Sequence, residues 1–229
     1  MGFWAVFWVG LVDAVISFLR VEGLLEPLVG AELATALGRS QFRGLTVHIP
    51  LLALAVILGA ITRGLGFPWL ALLVVVAELA IVFTRFVFSY EQAFMADLVR
   101  FWYGALFLFA SAHTLVVEGH VRVDVFYVRM RSETRAVVNA LGSVLLGMTF
   151  CWTILLVGFA TSSSVIAAPL LRFEIYQQGF GMYVKYLLAG YLAFFAVTML
   201  LQFVAYLFDA VADLRGEPDG RPRAASHPG

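Results

Sequence analysis

Apolar residues in this chain gather in long blocks separated by short charged or Gly/Pro-rich breaks. A bilayer core about 30 Å thick is crossed by roughly 20 helical residues rising about 1.5 Å each. Six blocks approach that length: 3–19, 45–62, 67–88, 97–117, 136–160 and 183–208. The last four are the clearer set, through their length and the Arg, Trp and Tyr residues at their ends. The first is short and carries Asp13. The second opens on His48 and Pro50, which suit a first helical turn, and stops at Arg63-Gly64-Leu65-Gly66 before Pro68 opens the third. The pattern predicts an all-α, polytopic integral membrane bundle: a four-helix core with two extra N-terminal transmembrane helices.

Between the first two blocks, Leu25, Leu28, Leu33 and Leu37 recur at near-helical spacing, as in an amphipathic helix lying along a membrane surface. After Asp213 the composition changes to Gly216-Glu217-Pro218-Asp219-Gly220-Arg221-Pro222-Arg223. So few apolar residues cannot offset chain ordering, and a disordered ending is expected. The chain therefore divides into an N-terminal extension (1–66) with two membrane helices and an interfacial segment, a core (67–210) and a tail (211–229). No useful repeat and no matched pair of broken helices stands out.

Composition strengthens the bilayer reading. Of 229 residues, 62% are hydrophobic and 13% charged, and the mean hydropathy is +0.93. Soluble domains are about half apolar and about a quarter charged. Fifteen acids and fifteen bases could not cover a water-exposed surface here. Zero formal net charge and 21 Phe also argue against a nucleic-acid binder, which needs a basic stripe to displace counterions. The lone Cys151 lies in an apolar run, with no partner for an intrachain disulfide or a thiolate metal cage, and reads as a small hydrophobe. The N-terminus lacks a basic start and Arg20-Val21-Glu22-Gly23 is a poor cleavage site, so residues 3–19 are expected to stay in the mature protein.

Basic loops resist translocation and stay cytoplasmic. Segment 118–135 holds Arg122, Arg129, Arg131 and Arg135, and the ending adds Arg215, Arg221 and Arg223. Loop 161–182 holds only Arg172, and 89–96 holds no basic residue. The core is thus expected to place 118–135 and the C-terminus inside, with 89–96 and 161–182 outside. Arg85, Arg100 and Lys185 then sit just inside outer span ends, where long side chains snorkel. The first two blocks must cross together or not at all, and both are read as crossing. Arg20, Arg39 and Arg43 in the outer segment 20–44 oppose that choice.

Polar side chains within the spans are few. Glu78 falls near the middle of 67–88, where an ionised acid in lipid costs about 2.5–3.5 kcal/mol or more. It is expected to face other helices or a partner subunit, be protonated, or both. A proton relay would need ionisable groups at neighbouring depths, and the other spans are read as offering none. His48 and His113 lie at opposite ends of their spans, and His120 and His227 lie outside spans, so a bis-imidazole haem site is disfavoured. It remains the feature that a haem-binding or electron-transfer membrane anchor, the alternative function, would need. No nucleophile elbow, zinc-protease helix or phosphate-cradling glycine loop occurs. No catalytic residue, metal site or cofactor is assigned, and the chain reads as a membrane component that packs against something else.

One stretch carries a family likeness. Gly104-Ala105-Leu106-Phe107-Leu108-Phe109-Ala110-Ser111-Ala112-His113-Thr114-Leu115 is followed by Glu118-Gly119-His120-Val121-Arg122-Val123-Asp124-Val125-Phe126-Tyr127. It resembles the small membrane subunit of TRAP transporters, the DctQ-like family, whose second core helix ends in a similar Gly-His-x-Arg-x-Asp turn. Thr84-Arg85-Phe86-Val87-Phe88 looks like the Arg-aromatic end of the first core helix, Asn139-Ala140-Leu141-Gly142 like the opening of the third, and Lys185 with Gln202 like the marks of the fourth. The likeness covers about 68–208. Lys185 departs from it by leading into Tyr186-Leu187-Leu188-Ala189 without the family's proline, and the N-terminal 66 residues have no counterpart.

The resemblance implies a non-catalytic scaffold subunit of a tripartite, ATP-independent secondary transporter in a bacterial inner membrane. It also implies a large DctM-like permease subunit carrying solute and coupling ion, commonly Na⁺, and a periplasmic solute-binding protein delivering the solute, often an organic acid. Membrane lipids complete the surroundings. Partner-interface candidates are Glu118, Gly119, His120, Arg122 and Asp124 in the loop, with Glu78, Arg85 and Lys185 in the spans. Gly119 can leave the helix through a left-handed conformation and set polar His120, Arg122 and Asp124 against apolar Val121, Val123 and Val125. A plain membrane-surface segment anchored by arginines is the other reading of this loop.

The expected topology is checked by cysteine labelling on a Cys151→Ala background. Of Ser132→Cys, Ser163→Cys and Ser226→Cys, only the second should react with an impermeant reagent in intact, outer-membrane-permeabilised cells. Labelling at position 132 would overturn the orientation.

Overall fold

The computed structural model describes residues 2–62, 66–117, 130–176 and 181–215. Among these, every regular element is a helix: α1 (Gly2–Val21), α2 (Leu25–Val29), α3 (Ala31–Leu37), α4 (Ser40–Arg43), α5 (Ile49–Ile61), α6 (Phe67–Phe88), α7 (Ala93–Val117), α8 (Ser132–Gly142), α9 (Thr149–Phe159), α10 (Ala167–Arg172) and α11 (Lys185–Arg215). π-Helical turns at Gly44–His48 and Ser143–Met148 join α4 to α5 and α8 to α9. Six of the resulting helices are long and apolar enough to cross a membrane: Gly2–Val21, Ser40–Ile61, Pro68–Phe88, Ala93–Ser111, Glu133–Phe159 and Lys185–Arg215. The polytopic all-α membrane architecture expected from the hydrophobic blocks is the one observed, including both N-terminal helices.

Boundaries moved where local chemistry competes with hydropathy. Helix begins at Ser40 in the second block, leaving Pro50 in the interior of the span instead of at its first turn. Proline has no N–H to donate to the carbonyl four residues back, and its ring crowds that carbonyl. The turn before it widens into the π-helix Gly44–His48. Helix α11 continues through Arg215, so 211–215 of the expected tail is helical. Residues 216–229 lie outside the described residues. In the expected interfacial segment, α2 and α3 form, but Leu25 and Leu37 are buried while Leu28 and Leu33 are exposed. At the C-terminal end of α6, Ser89 takes a left-handed conformation at φ 52° and the Tyr90 N–H bonds back to the Thr84 carbonyl at 3.1 Å.

By packing, Met1–Ala110 with Val157–Phe194 form one compact unit, and Ser111–Leu156 with Phe195–Gly229 form another. In the first, α1 runs antiparallel to α4–α5: the Trp4 indole N–H donates to the Thr62 hydroxyl, and Arg43 Nη1 donates to Ser17 Oγ at 3.2 Å. It also runs antiparallel to α7, where the Trp102 indole donates to the Val6 carbonyl at 3.1 Å and the rings of Phe18 and Phe94 lie 6.1 Å apart. Val6, Val9, Leu70, Phe101, Ala105, Met182 and Val184 form the centre of this core. Outside the spans, the Tyr90 hydroxyl donates to Glu22 Oε1 at 2.7 Å. Desolvation, reinforced by Glu22, pushes the Tyr90 phenol up to about 12, so this donor keeps its proton far above neutral pH.

In the second unit, Gly147 lies against the ring of Phe203 where a side chain could not fit, and the Tyr206 hydroxyl donates to the Leu115 carbonyl. Cys151 is fully buried, in keeping with its reading as a small hydrophobe.

Close approach of α1 to α7 depends on Gly10, because any Cβ there would collide with the Trp102 indole. Gly10→Val should destabilise the protein by about 1–3 kcal/mol through overpacking, and Trp102→Phe in the same background should recover part of that loss. Thermal unfolding in detergent is the measurement; an unchanged midpoint for Gly10→Val would mean the two helices are not in contact.

Candidate functional site

Asp13, near the middle of α1, is completely buried, and its carboxylate is saturated. Oδ1 accepts from Arg43 Nη1 at 3.0 Å and from His48 Nε2 at 2.9 Å, while Oδ2 accepts from the Tyr183 backbone N–H at 2.8 Å. Arg43 and His48 are as deeply buried as Asp13. Arg43 also donates through Nε to the Leu37 carbonyl at 2.9 Å and lies over the Tyr183 ring, 4.1 Å from its centroid. The other ring nitrogen of His48, Nδ1, meets the Tyr186 hydroxyl. His48 thus bridges the acid and a tyrosine: Nε2 donates to Asp13, and Nδ1 shares a hydrogen bond with the Tyr186 hydroxyl.

A second buried carboxylate extends the cluster. Asp97 Oδ2 accepts the Met182 N–H at 3.1 Å, and its Oδ1 pairs with Arg100 at 2.9 Å. Asp13 and Asp97 therefore take successive backbone N–H groups, those of Tyr183 and Met182, just ahead of α11. Negative charge placed there complements the unsatisfied donors and the positive end of the helix. The last helix begins at Lys185 without the proline that its family likeness led one to look for. Tyr183 is further gripped through its hydroxyl, which donates to the Gly38 carbonyl at 2.8 Å and meets Arg20. Phe173, at φ 50°, packs on the Tyr186 ring 5.1 Å away and over Gly44, whose hypothetical Cβ would lie 2.6 Å from it.

This cluster corrects the expectation that spans other than α6 hold no ionisable group at depth. The signal was present: Asp13, Ser17 and Arg20 recur at helical spacing on one face of an otherwise apolar helix. What the chain alone could not say is that Arg43 and His48, assigned to an outer segment and a span end, face it. Both His48 ring nitrogens are engaged, which leaves neither for an axial haem bond, so the haem-anchor alternative gains no support from this residue. Among the described residues no group of three or more His, Cys, Asp or Glu side chains is placed to hold a metal ion.

The sequence-derived candidates fare differently. Glu118, Gly119, His120, Arg122 and Asp124 lie outside the described residues. Arg85 Nε pairs with Glu91 at 3.3 Å, both exposed, and Lys185 pairs with Glu174 at 2.8 Å. Glu78, expected to face other helices or a partner subunit, is exposed on α6.

Breaking a buried ion pair by removing one member strands the other charge, at about 3–5 kcal/mol. Asp13→Asn and Arg43→Met should each lower stability by about that much, and the double variant should recover a substantial part, because no uncompensated ion is left. Thermal unfolding in detergent tests it; strictly additive losses would show that the two side chains do not interact.

The DctQ family model, described as tripartite ATP-independent periplasmic transporters, DctQ component, matches residues 71–213. No curated protein and no solved structure matches the chain. The matched range opens within α6 and closes within α11, so Asp97, Tyr183 and Tyr186 belong to it while Asp13, Arg43 and His48 do not. The buried cluster is thus the seam between the family's core and two helices added in front of it. With well over half its length matched and six helices of membrane-crossing length and apolarity, the chain belongs to the DctQ family, the multi-pass inner-membrane component of TRAP transporters.

Proposed function

We propose that this chain is the small, non-catalytic scaffold subunit of a TRAP secondary transporter. It braces a large DctM-like permease subunit during ion-coupled uptake of a solute, an organic acid, handed over by a periplasmic binding protein. Family membership over residues 71–213 carries this reading. Its physical support is the way this chain uses its buried charges. Asp13, Arg43, His48 and Asp97 are engaged with one another, with neighbouring side chains and with backbone groups. A translocation path needs polar groups free to replace a solute's hydration shell, and groups already engaged in this way cannot serve.

Attachment to the large subunit must then come from packing and scattered interhelical hydrogen bonds. The loop from Glu118 to Asp124 is proposed to secure the cytoplasmic end of that contact, with 118–135 and the C-terminus on the cytoplasmic side. Arg85 and Lys185, each paired with an acid near a helix end, are proposed to border it on the opposite side of the membrane.

Two measurements test the reading. Proteoliposomes holding only this chain should show no solute-dependent, ion-driven uptake; uptake there would end the scaffold hypothesis. Replacing His120, Arg122 and Asp124 together by Ala should weaken co-purification with the large subunit more than replacing Arg221, Arg223 and His227 does. Equal effects would remove the loop from the interface.

A further inference from the structure

Two carboxylates lie deep in spanning helices of the same packing unit, and they are treated in opposite ways. Asp13 is enclosed and makes three hydrogen bonds. Glu78 is exposed and makes no hydrogen bond or ion pair with any described residue. It stands ten residues from each end of the span Pro68–Phe88, about 15 Å from either membrane surface at 1.5 Å per residue. A glutamate side chain is too short to reach the headgroups from that depth. Left against lipid, its ionised form would cost about 2.5–3.5 kcal/mol or more.

The surface around Glu78 is built for a helix. Only one stripe of α6 packs inward, through Leu70, Ala77, Ile81 and Thr84, while Val75, Leu79, Val82 and Phe86 are exposed. At about 100° per residue, Glu78 lies on one flank of the exposed arc, with Val75 and Val82 beside it. Val76 and Val87 lie on the other flank.

We infer that the Glu78 flank of α6 is a docking face for a transmembrane helix that presents a hydrogen-bond donor at bilayer-centre depth, and that this helix belongs to the large permease subunit. The second part rests on the scaffold reading above. Charge complementarity selects the occupant: a lone acid in an aliphatic surface is satisfied by a donor such as Lys, Arg, Ser, Thr or Asn on the incoming helix. A two-fold pair of copies of this chain meeting on the same face would instead bring one Glu78 against another, and like charges at contact oppose ionisation of both.

The test uses the full chain co-expressed with the large subunit, with a photo-cross-linking residue at Val75 or Val82 and, separately, at Val76 or Val87. Cross-links to the large subunit from positions 75 and 82 are expected. Alongside, Glu78→Gln should keep co-purification near the unaltered level, while Glu78→Leu should reduce it about five- to thirtyfold, the range of one intramembrane hydrogen bond. Glu78→Lys should reduce it further by setting donor against donor.

Wild-type co-purification by Glu78→Leu, cross-links confined to 76 and 87, or cross-links to a second copy would each overturn the docking face while leaving the scaffold reading intact. Failure of the unaltered chain to co-purify with the large subunit would overturn both.

Discussion

Asp13 is the residue on which the packing of its unit turns. A carboxylate removed from water inside a membrane helix is tolerable only if every lone pair facing the interior finds a donor. Here the donors come from three places in the chain: a guanidinium ahead of Pro50, an imidazole one turn later and a backbone amide just before the last helix, while the Ser17 hydroxyl on the same helix accepts from Arg43. Satisfying this one group fixes the register of the N-terminal hairpin. It also fixes where the final helix begins. A slide of α1 by one residue would turn Asp13 by about 100° and strand both it and Arg43.

Local irregularities follow from that requirement. The π-helical turn Gly44–His48 lies between Arg43 and Pro50 and contains His48, one of the two cationic or imidazole partners of Asp13. An extra residue in a turn rotates the side chains on either side of it relative to a straight helix, and both Arg43 and His48 reach the same carboxylate oxygen. Gly44 within that turn leaves room for Phe173, whose left-handed backbone brings its ring onto Tyr186, the residue that completes the hydrogen-bonding of His48. Strain at Phe173 is therefore held in place by its packing.

Membership of the DctQ family and the presence of two further helices are related through the same cluster. Core residues Tyr183 and Tyr186 face partners that the family model does not include, so the hairpin is integrated with the core and not appended to it. The α6 surface has the opposite character, with a broad aliphatic face and an acid, Glu78, that has no hydrogen bond or ion pair among the described residues. An inward-looking cluster suits a rigid scaffold, and an outward-looking acid suits a subunit that is completed by another chain.

Much of this architecture was legible from residue order alone. Each spanning block is a contiguous apolar run, and in lipid the backbone must satisfy its own hydrogen bonds, so a run of sufficient length can only be a helix. The Gly-His-x-Arg-x-Asp turn and its flanking marks carried the family. Helix ends at Ser40 and Arg215, and the placement of Pro50, were misjudged because hydropathy does not register π-helical turns or helix continuing past the apolar run. The cluster was beyond reach for a different reason: Asp13, Arg43, His48 and Tyr183 are separated by up to 170 residues, and a pairing energy depends on distance and desolvation, which exist only once the helices are packed. Residue order determined by itself that this chain lives in a membrane and how often it can cross. Tertiary structure alone decided that, among the described residues, Asp13 is enclosed by partners from distant parts of the chain while Glu78 is exposed, because burial exists only once helices pack.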